Sequence, residues 1–189
     1  MNQTSPAFSV RVPDGDVLPR KVCDRCGFIA YENPKIVVGS VVRHEGRVLL
    51  CRRAIEPRRG FWTIPAGYME LNETPEGGAM REAREEAGAA IAIERLLAVY
   101  SVPRISQVQL IFRARLAAQD VAPGIETLEL RFFGADEIPR DELAFPSVHW
   151  ALDHDREAEA GAPPVPFGNP AGAAGDRMPD GRMLPVGEF

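Results

Sequence analysis

Three glutamates, Glu82, Glu85 and Glu86, crowd one stretch of a segment that reads as a helix. Thr74 offers an N-cap hydroxyl, Pro75 suits the first helical position, and Gly88 supplies a stop. At about 100° per residue, Glu85, Glu82 and Glu86 fall at roughly 240°, 300° and 340° from Ala79, so the three carboxylates share one arc. Like charges at i, i+3 and i, i+4 cost about 0.2–0.5 kcal/mol per pair in an isolated helix, and a bound cation reverses that sign. Hard oxygen donors in this number suit Mg²⁺ or Mn²⁺ and are unsuited to zinc, which prefers nitrogen and sulfur. The alternative is a solvated acidic face, and helix geometry alone leaves both readings open.

The elements that must position these groups can be read from the pattern. Ala79, Met80, Ala83 and Ala87 form a narrow small-residue face on the same helix, suited to close docking on a sheet. Gly78 lies on the acidic side, where a missing side chain leaves room for a ligand. Ahead of the helix, Phe61-Trp62-Thr63-Ile64 reads as a short strand ended by Pro65. The following Ala66-Gly67 turn could offer the Ala66 carbonyl as one more oxygen ligand. Ile36 to Val42 and Arg47 to Cys51 flank His44-Glu45-Gly46 and predict a hairpin. Further strands are expected at Ile91 to Tyr100, Val108 to Leu116 and Leu128 to Phe133, with a closing helix within Leu143 to Leu152. This order predicts an α/β fold, a mixed sheet with helices on its faces.

The spelling across this region is more specific than its periodicity. Gly67, five residues, Glu73, seven residues, Arg81-Glu82-Ala83, one residue, Glu85-Glu86, one residue and Gly88-Ala89 resembles the Nudix box of the Nudix hydrolases. Ala83 and Ala89 stand where that box usually carries bulky aliphatics. The resemblance implies an α/β/α sandwich in which the box is a loop-helix-loop holding divalent metal on a diphosphate. It implies Glu85 and Glu86 as main metal ligands, Glu82 as a further ligand or the base that activates water, and the Ala66 carbonyl as a main-chain ligand. Arg81 would orient Glu82, and Glu73 would brace the loop that begins at Gly67 or contribute through a metal-bound water. The implied reaction is hydrolysis of a nucleoside diphosphate linked to a group X, giving a nucleoside monophosphate and phosphorylated X.

Similarity extends over roughly residues 20–152. Cys23-Asp24-Arg25-Cys26-Gly27, Tyr31-Glu32-Asn33-Pro34-Lys35-Ile36-Val37-Val38-Gly39 and Ala144-Phe145-Pro146 are similar to the Nudix branch with an N-terminal zinc ribbon, which includes FAD and ADP-ribose pyrophosphatases and lies near NADH pyrophosphatases. Zinc would need two Cys-x-x-Cys pairs. Only Cys23 and Cys26 form one, because Cys51 lies inside a strand and Phe8-Ser9-Val10-Arg11 offers no second. Outside the box, Glu126 and Glu129 follow the turn-forming Pro123-Gly124, and Glu129 is expected to supply a catalytic base or another metal ligand. Gln107 and Tyr68 are candidates for contact with a base or ribose. Among Arg52, Arg53, Arg58 and Arg59, we expect Arg52 and Arg58 to reach the phosphates.

Length and composition bound the rest. With 189 residues the chain supports one domain of good core size plus extensions. The boundaries expected are 1–34 for an N-terminal extension with the partial ribbon, 35–155 for the catalytic domain, and 156–189 for a flexible tail rich in Pro, Gly and Ala. The segment up to about Leu18 reads as irregular. A net charge of −5 argues against a broad cationic surface for nucleic acid. No apolar run has membrane-spanning length, and three cysteines without a leader point to a reducing cytoplasm. The function expected is therefore a Mg²⁺- or Mn²⁺-dependent pyrophosphohydrolase acting on FAD, ADP-ribose or an NADH-like substrate. Housecleaning of nucleoside triphosphates is the alternative, and a nucleotide-sensing module, which would typically lack the box carboxylates, a more distant one. A homodimer is implied at the family level only.

Overall fold

The computed structural model describes residues 7–118 and 120–184, so the apolar tail positions Val186 and Phe189 lie outside the described residues. Two compact units are present, Met1–Pro34 and Lys35–Phe189. The first is a three-stranded antiparallel sheet of β1 (Phe8–Arg11), β2 (Arg20–Cys23) and β3 (Ile29–Ala30). Thus the expected irregular segment contains a strand. Its pairing, Phe8 with Cys23 through Arg11 with Arg20, is long-range and leaves no local signal in so short a run. Asp16 closes the intervening turn by accepting from the Val17 and Leu18 amides and from Arg20 Nε, at 2.7, 3.2 and 2.8 Å.

Cys23 and Cys26 bracket a tight turn in which Gly27 N–H donates to Cys23 O at 2.9 Å. The N–H groups of Cys26 and Arg25, with the Cys26 thiol, hold the Cys23 thiol below its ordinary range. Both cysteines are free, and among the described residues no group of three or more His, Cys, Asp or Glu side chains is set to hold a metal. Ser9 Oγ donates to Asp24 Oδ1 at 2.6 Å, tying β1 to this turn directly. Two thiols fall short of a tetrahedral zinc set, so the described residues do not fit structural zinc.

The second unit contains β4 (Lys35–His44), β5 (Arg47–Arg53), β6 (Trp62–Thr63), β7 (Ala66–Tyr68), α1 (Pro75–Ala87), β8 (Ile91–Val102), β9 (Gln107–Leu116), β10 (Thr127–Phe133) and α2 (Pro146–Glu159). The sheet runs β10-β5-β4-β9-β8, with β6 added to β5 and β7 to β4. It is mixed, because β4 and β9 are parallel while the other pairings are antiparallel. The β4–β5 hairpin turns on Glu45 and Gly46, both at positive φ (49° and 75°), which matches the right-handed twist of the strands. Hydrogen-bonded register holds only from Arg43–Val48 to His44–Arg47. Beyond that the two strands part, and β6 and β7 fill the gap.

Alternation along the strands assigns the two faces. Val42, Leu49 and Cys51 pack with Ala83 and Ala87 of α1. Val41, Val48 and Leu50 pack with Val148, Ala151 and Leu152 of α2. The result is an α/β/α sandwich. Ala79, Ala83 and Ala87 are fully buried, and their small side chains let α1 dock closely. Gly88, at φ 60°, ends α1 with N–H bonds to Ala83 and Arg84 carbonyls.

On the other face α2 is anchored by charge. Asp155, 2% exposed, accepts from Arg43 at 2.7 Å and faces Arg113 at 3.4 Å. Arg113 also pairs with Glu94 at 3.4 Å and with Glu159.

The chain after α2, expected to be mobile or loosely docked, lies against the sheet. Phe167 N–H donates to Leu97 O and Phe167 O accepts from Val99 N–H, each at 2.9 Å, so the segment adds to the edge of β8. Its ring stacks on His154 at 4.3 Å, and His154 Nδ1 is hydrogen-bonded to Tyr100 Oη at 2.7 Å. Sparse periodicity conceals this docking because each contact is made by a single residue.

Removing Asp155 with Asp155→Ala leaves two half-buried arginines underpaired and should cost about 3 kcal/mol, measured as a shift in urea midpoint; a change under about 1 kcal/mol would refute the anchor. Burial, opposed by Glu157 and Asp153, lowers the His154 pKa from 6.5. The neutral ring is therefore favoured in the fold, and its contribution is complete above pH 6.5 and lost as pH falls through the lower folded value. Urea midpoints from pH 7 to 5 should fall less steeply for His154→Gln than for the parent.

Candidate active site

A cavity of about 860 Å³ opens where β4 and β5 part, within the ~300–1,000 Å³ common for ligand pockets. Glu82, Glu85 and Glu86 line it from α1, Ala66, Gly67 and Tyr68 from β7, and Arg53 from β5. Gln107, Gln109 and Ile111 of β9 form a second side, and the start of α2 from Phe145 to Val148 closes a third.

Arg81 organises the carboxylate end. Its guanidinium donates to Glu73 at 2.8 and 3.1 Å, Glu82 at 2.7 Å, Glu85 at 2.9 Å and the Tyr68 carbonyl at 3.0 Å. Arg81 is held protonated more firmly than usual, by Glu73 first, then by Glu82 and Glu85 against the cost of burial. Glu73 also accepts from the Glu70 amide at 2.6 Å, and its carboxyl is pulled down to about 2, chiefly by Arg81. Glu73 therefore braces the loop through both Arg81 and the backbone. Gly78 is required by this brace and leaves no ligand space: a Cβ there would lie 2.6 Å from Glu73 Oε1 and 2.8 Å from Val38 Cγ2.

Glu82 and Glu86 are buried, whereas Glu85 is exposed. Burial pushes the Glu86 carboxyl up to about 8, even though it accepts from the Ala66 amide at 3.0 Å. Burial also raises Glu82, opposed by Arg81 and reinforced by Glu85 and Glu126. Two buried acids of this kind are stabilised as carboxylates by a nearby cation. With Glu82 and Glu85 turned to Arg81 and Glu86 turned to Ala66, no three of them converge among the described residues. A divalent cation would compete with Arg81 for these oxygens. The donor set of Glu82, Glu85, Glu86 and the Ala66 main chain is hard and anionic, and fits Mg²⁺ or Mn²⁺.

The remaining expected site residues divide. Gln107 and Tyr68 both line the pocket, with Gln107 Nε2 donating to Tyr68 Oη at 3.2 Å and Lys35 Nζ lying 4.9 Å from the Tyr68 ring centre. Arg52, Arg58 and Glu129 do not line it. Arg52 donates to the Gly60 carbonyl at 2.8 Å and pairs with Glu129 at 3.4 Å. Arg58 donates to Ala144 O at 3.2 Å and lies 3.7 Å over the Phe61 ring. In their place stand Arg53 and Glu126. Period-two alternation carries the signal for Arg53, since Leu49, Cys51 and Arg53 share the α1 face and Arg52 must turn away. A register irregularity between Thr127 and Glu129 sets Glu129 beside Arg52, and no sequence feature marks it.

The fold and site define a class, an α/β/α enzyme that presents a carboxylate helix to a pocket. The NUDIX domain model matches residues 33–152, and the Nudix N-terminal model matches residues 5–32. The chain belongs to the Nudix hydrolase family. A NUDIX hydrolase from Nitrosomonas europaea is 48% identical, with TM-score 0.82, over 89% of this chain and 96% of that one. The ADP-ribose pyrophosphatase of Methanocaldococcus jannaschii is 29% identical over 61% of this chain and 69% of its own. A MutT-like protein of Streptomyces ambofaciens is 36% identical over 54% and 64%. The match thus spans about two thirds of the length of these two curated relatives.

A Cβ at Gly67 would lie 2.4 Å from Glu82 Oε1. Gly67→Ala should therefore displace the flexible Glu82 carboxylate and lower kcat at least about tenfold while the melting temperature moves by only a few degrees. Unchanged kcat would show that Glu82 need not occupy this position. Arg81→Lys replaces a planar fork of donors with a single ammonium and should cost about 100-fold or more in kcat, read in the same assay.

Proposed function

We propose that this chain is a divalent-metal-dependent pyrophosphohydrolase that cleaves a nucleoside diphosphate linked to X into a nucleoside monophosphate and phosphorylated X. The observation that carries this reading is the pair of buried, charge-disfavoured carboxyls, Glu82 and Glu86, at the wall of a nucleotide-sized cavity. Glu82, Glu85, Glu86 and the Ala66 carbonyl would hold Mg²⁺ or Mn²⁺. When bound, the metal supplies charge neutralisation on the diphosphate and a more acidic water.

The chain's own groups do the rest. Glu82, hydrogen-bonded by Arg81, is the first candidate to accept the proton of the attacking water, supported by that contact. Arg53 and the cation side of the pocket favour the diphosphate, and the Gln107–Tyr68 pair offers amide and aromatic contacts to a base. Glu126, which lines the same pocket and acts electrostatically on Glu82 and Glu86, is a second candidate base, taking the part expected of Glu129. ADP-ribose is the first substrate by the name of the M. jannaschii relative, followed by FAD and NADH. A Bacillus subtilis relative named as a putative 8-oxo-dGTP diphosphatase keeps triphosphate housecleaning as the second reading. Among the described residues no helix is long and apolar enough to cross a membrane.

The test is a panel of ADP-ribose, FAD, NADH and nucleoside triphosphates with Mg²⁺ or Mn²⁺, products resolved by chromatography. Release of AMP with ribose 5-phosphate or FMN is expected, and Glu86→Gln should reduce it by at least about 100-fold with the fold retained by circular dichroism. Inorganic pyrophosphate from triphosphates as the main product would overturn the substrate class. Turnover that survives both Glu85→Gln and Glu86→Gln would overturn the metal-ligand roles.

A further inference from the structure

The NUDIX match ends at residue 152, yet the chain beyond it reaches the pocket. After adding Phe167 to the edge of β8, the segment is clamped by Asn169. The Asn169 amide accepts from Ser101 N–H at 2.9 Å, donates to Ser101 O at 2.8 Å and donates to Ala173 O at 2.9 Å. One side chain thus behaves as a paired strand residue for Ser101 and also closes its own turn. The clamp delivers Gly175 to the pocket wall beside Val102 and Ile105. Glycine is needed there twice over: φ is +77°, and a Cβ would lie 3.0 Å from Val102 Cγ1.

Strand register locates this wall relative to the chemistry. Ala66 pairs with Gly39, whereas Lys35 pairs with Gln107, which in turn pairs with Val102. Four residues of β4 separate the two levels, about 13 Å at the strand rise. The wall at Val102 and Gly175 is therefore about one nucleoside's length from the carboxylates and next to Gln107, whereas Ile111 pairs with Gly39 and lies at the carboxylate level.

We propose that residues 163–176 form a strap that completes the base-binding end of the pocket, with Asn169 positioning Gly175 against Val102. The strap makes affinity for the nucleoside depend on a segment outside the catalytic domain. The inference rests on the pyrophosphohydrolase reading for its ligand, an adenine nucleotide.

Hydrogen–deuterium exchange on the full chain tests it, with AMP and Mg²⁺ as the probe. AMP should slow exchange at least about tenfold both in the box loop, residues 66–74, and in residues 163–176. Asn169→Ala should raise the Kd for AMP and the KM for ADP-ribose about tenfold, with kcat within about twofold. Protection of the box loop alone in the parent chain would overturn the strap and leave the hydrolase reading intact. So would an unchanged Kd for AMP in a folded Asn169→Ala. Protection of neither segment would overturn both. The exchange arm uses the parent chain and decides the matter even if Asn169→Ala fails to fold.

Discussion

One guanidinium determines whether this site exists in usable form. Arg81 satisfies carboxylates from the loop before α1 and from α1 itself, and it also holds the Tyr68 carbonyl at the end of β7. Without such a donor, Glu82 and Glu85 would repel one another on adjacent turns, and the loop from Gly67 to Thr74 would lack its main tie to the helix. The acceptors around Arg81 are more numerous than a single lysine could orient. Its hydrogen bonds to Glu73 are the main cause that holds that carboxyl at about 2, well below the ordinary carboxylate range. Glu82 and Glu85 are bound to the same cation at distances a metal could contest. Arg81 thereby serves as the counter-ion shared by Glu73, Glu82 and Glu85.

The sheet makes room for this arrangement by parting β4 from β5. Pairing near the hairpin is lost within a few residues, so β6 and β7 can enter from the side and set Ala66 against the buried Glu86. Such an opening would weaken the fold if both faces relied on apolar packing alone. The Arg43–Asp155–Arg113 network offsets the loss on the α2 face by joining helix, β4 and β9 at one buried carboxylate. On the α1 face, alanines bring the helix close enough for its carboxylates to reach the strand ends.

Much of this is written locally. The Thr74 cap, Pro75 start and Gly88 stop define α1 to the residue, because each acts on its own backbone. The hairpin and the strands of the main sheet are equally accessible to pattern, and the resemblance to the box carries the pairing of Arg81 with Glu82, but the pairing of Arg81 with Glu73 has no such signal. What escaped depends on long-range register. Arg52 and Arg53 differ only in which face of β5 they take, and Glu126 rather than Glu129 lines the pocket, an irregularity in β10 setting Glu129 beside Arg52 once the partner strand is in place. The strand Phe8–Arg11 and the docking of Phe167 and Asn169 share that character. Each is a short segment whose conformation is dictated by a distant edge. Gly78 marks a different gap: a missing side chain reads as space, and the space belongs to Glu73 and Val38.

The parallel pairing of β4 with β9 has a kinetic side. The hairpin of β4 and β5 and the helix α1 close over short loops, whereas Lys35 meets Gln107 only after the whole box has been threaded between them. Loop-closure entropy makes such a pairing late and slow relative to local contacts. A chain emerging during synthesis would therefore assemble its acidic helix before the β9 side of the pocket is in place, and the cavity itself is the last feature the folding polypeptide acquires.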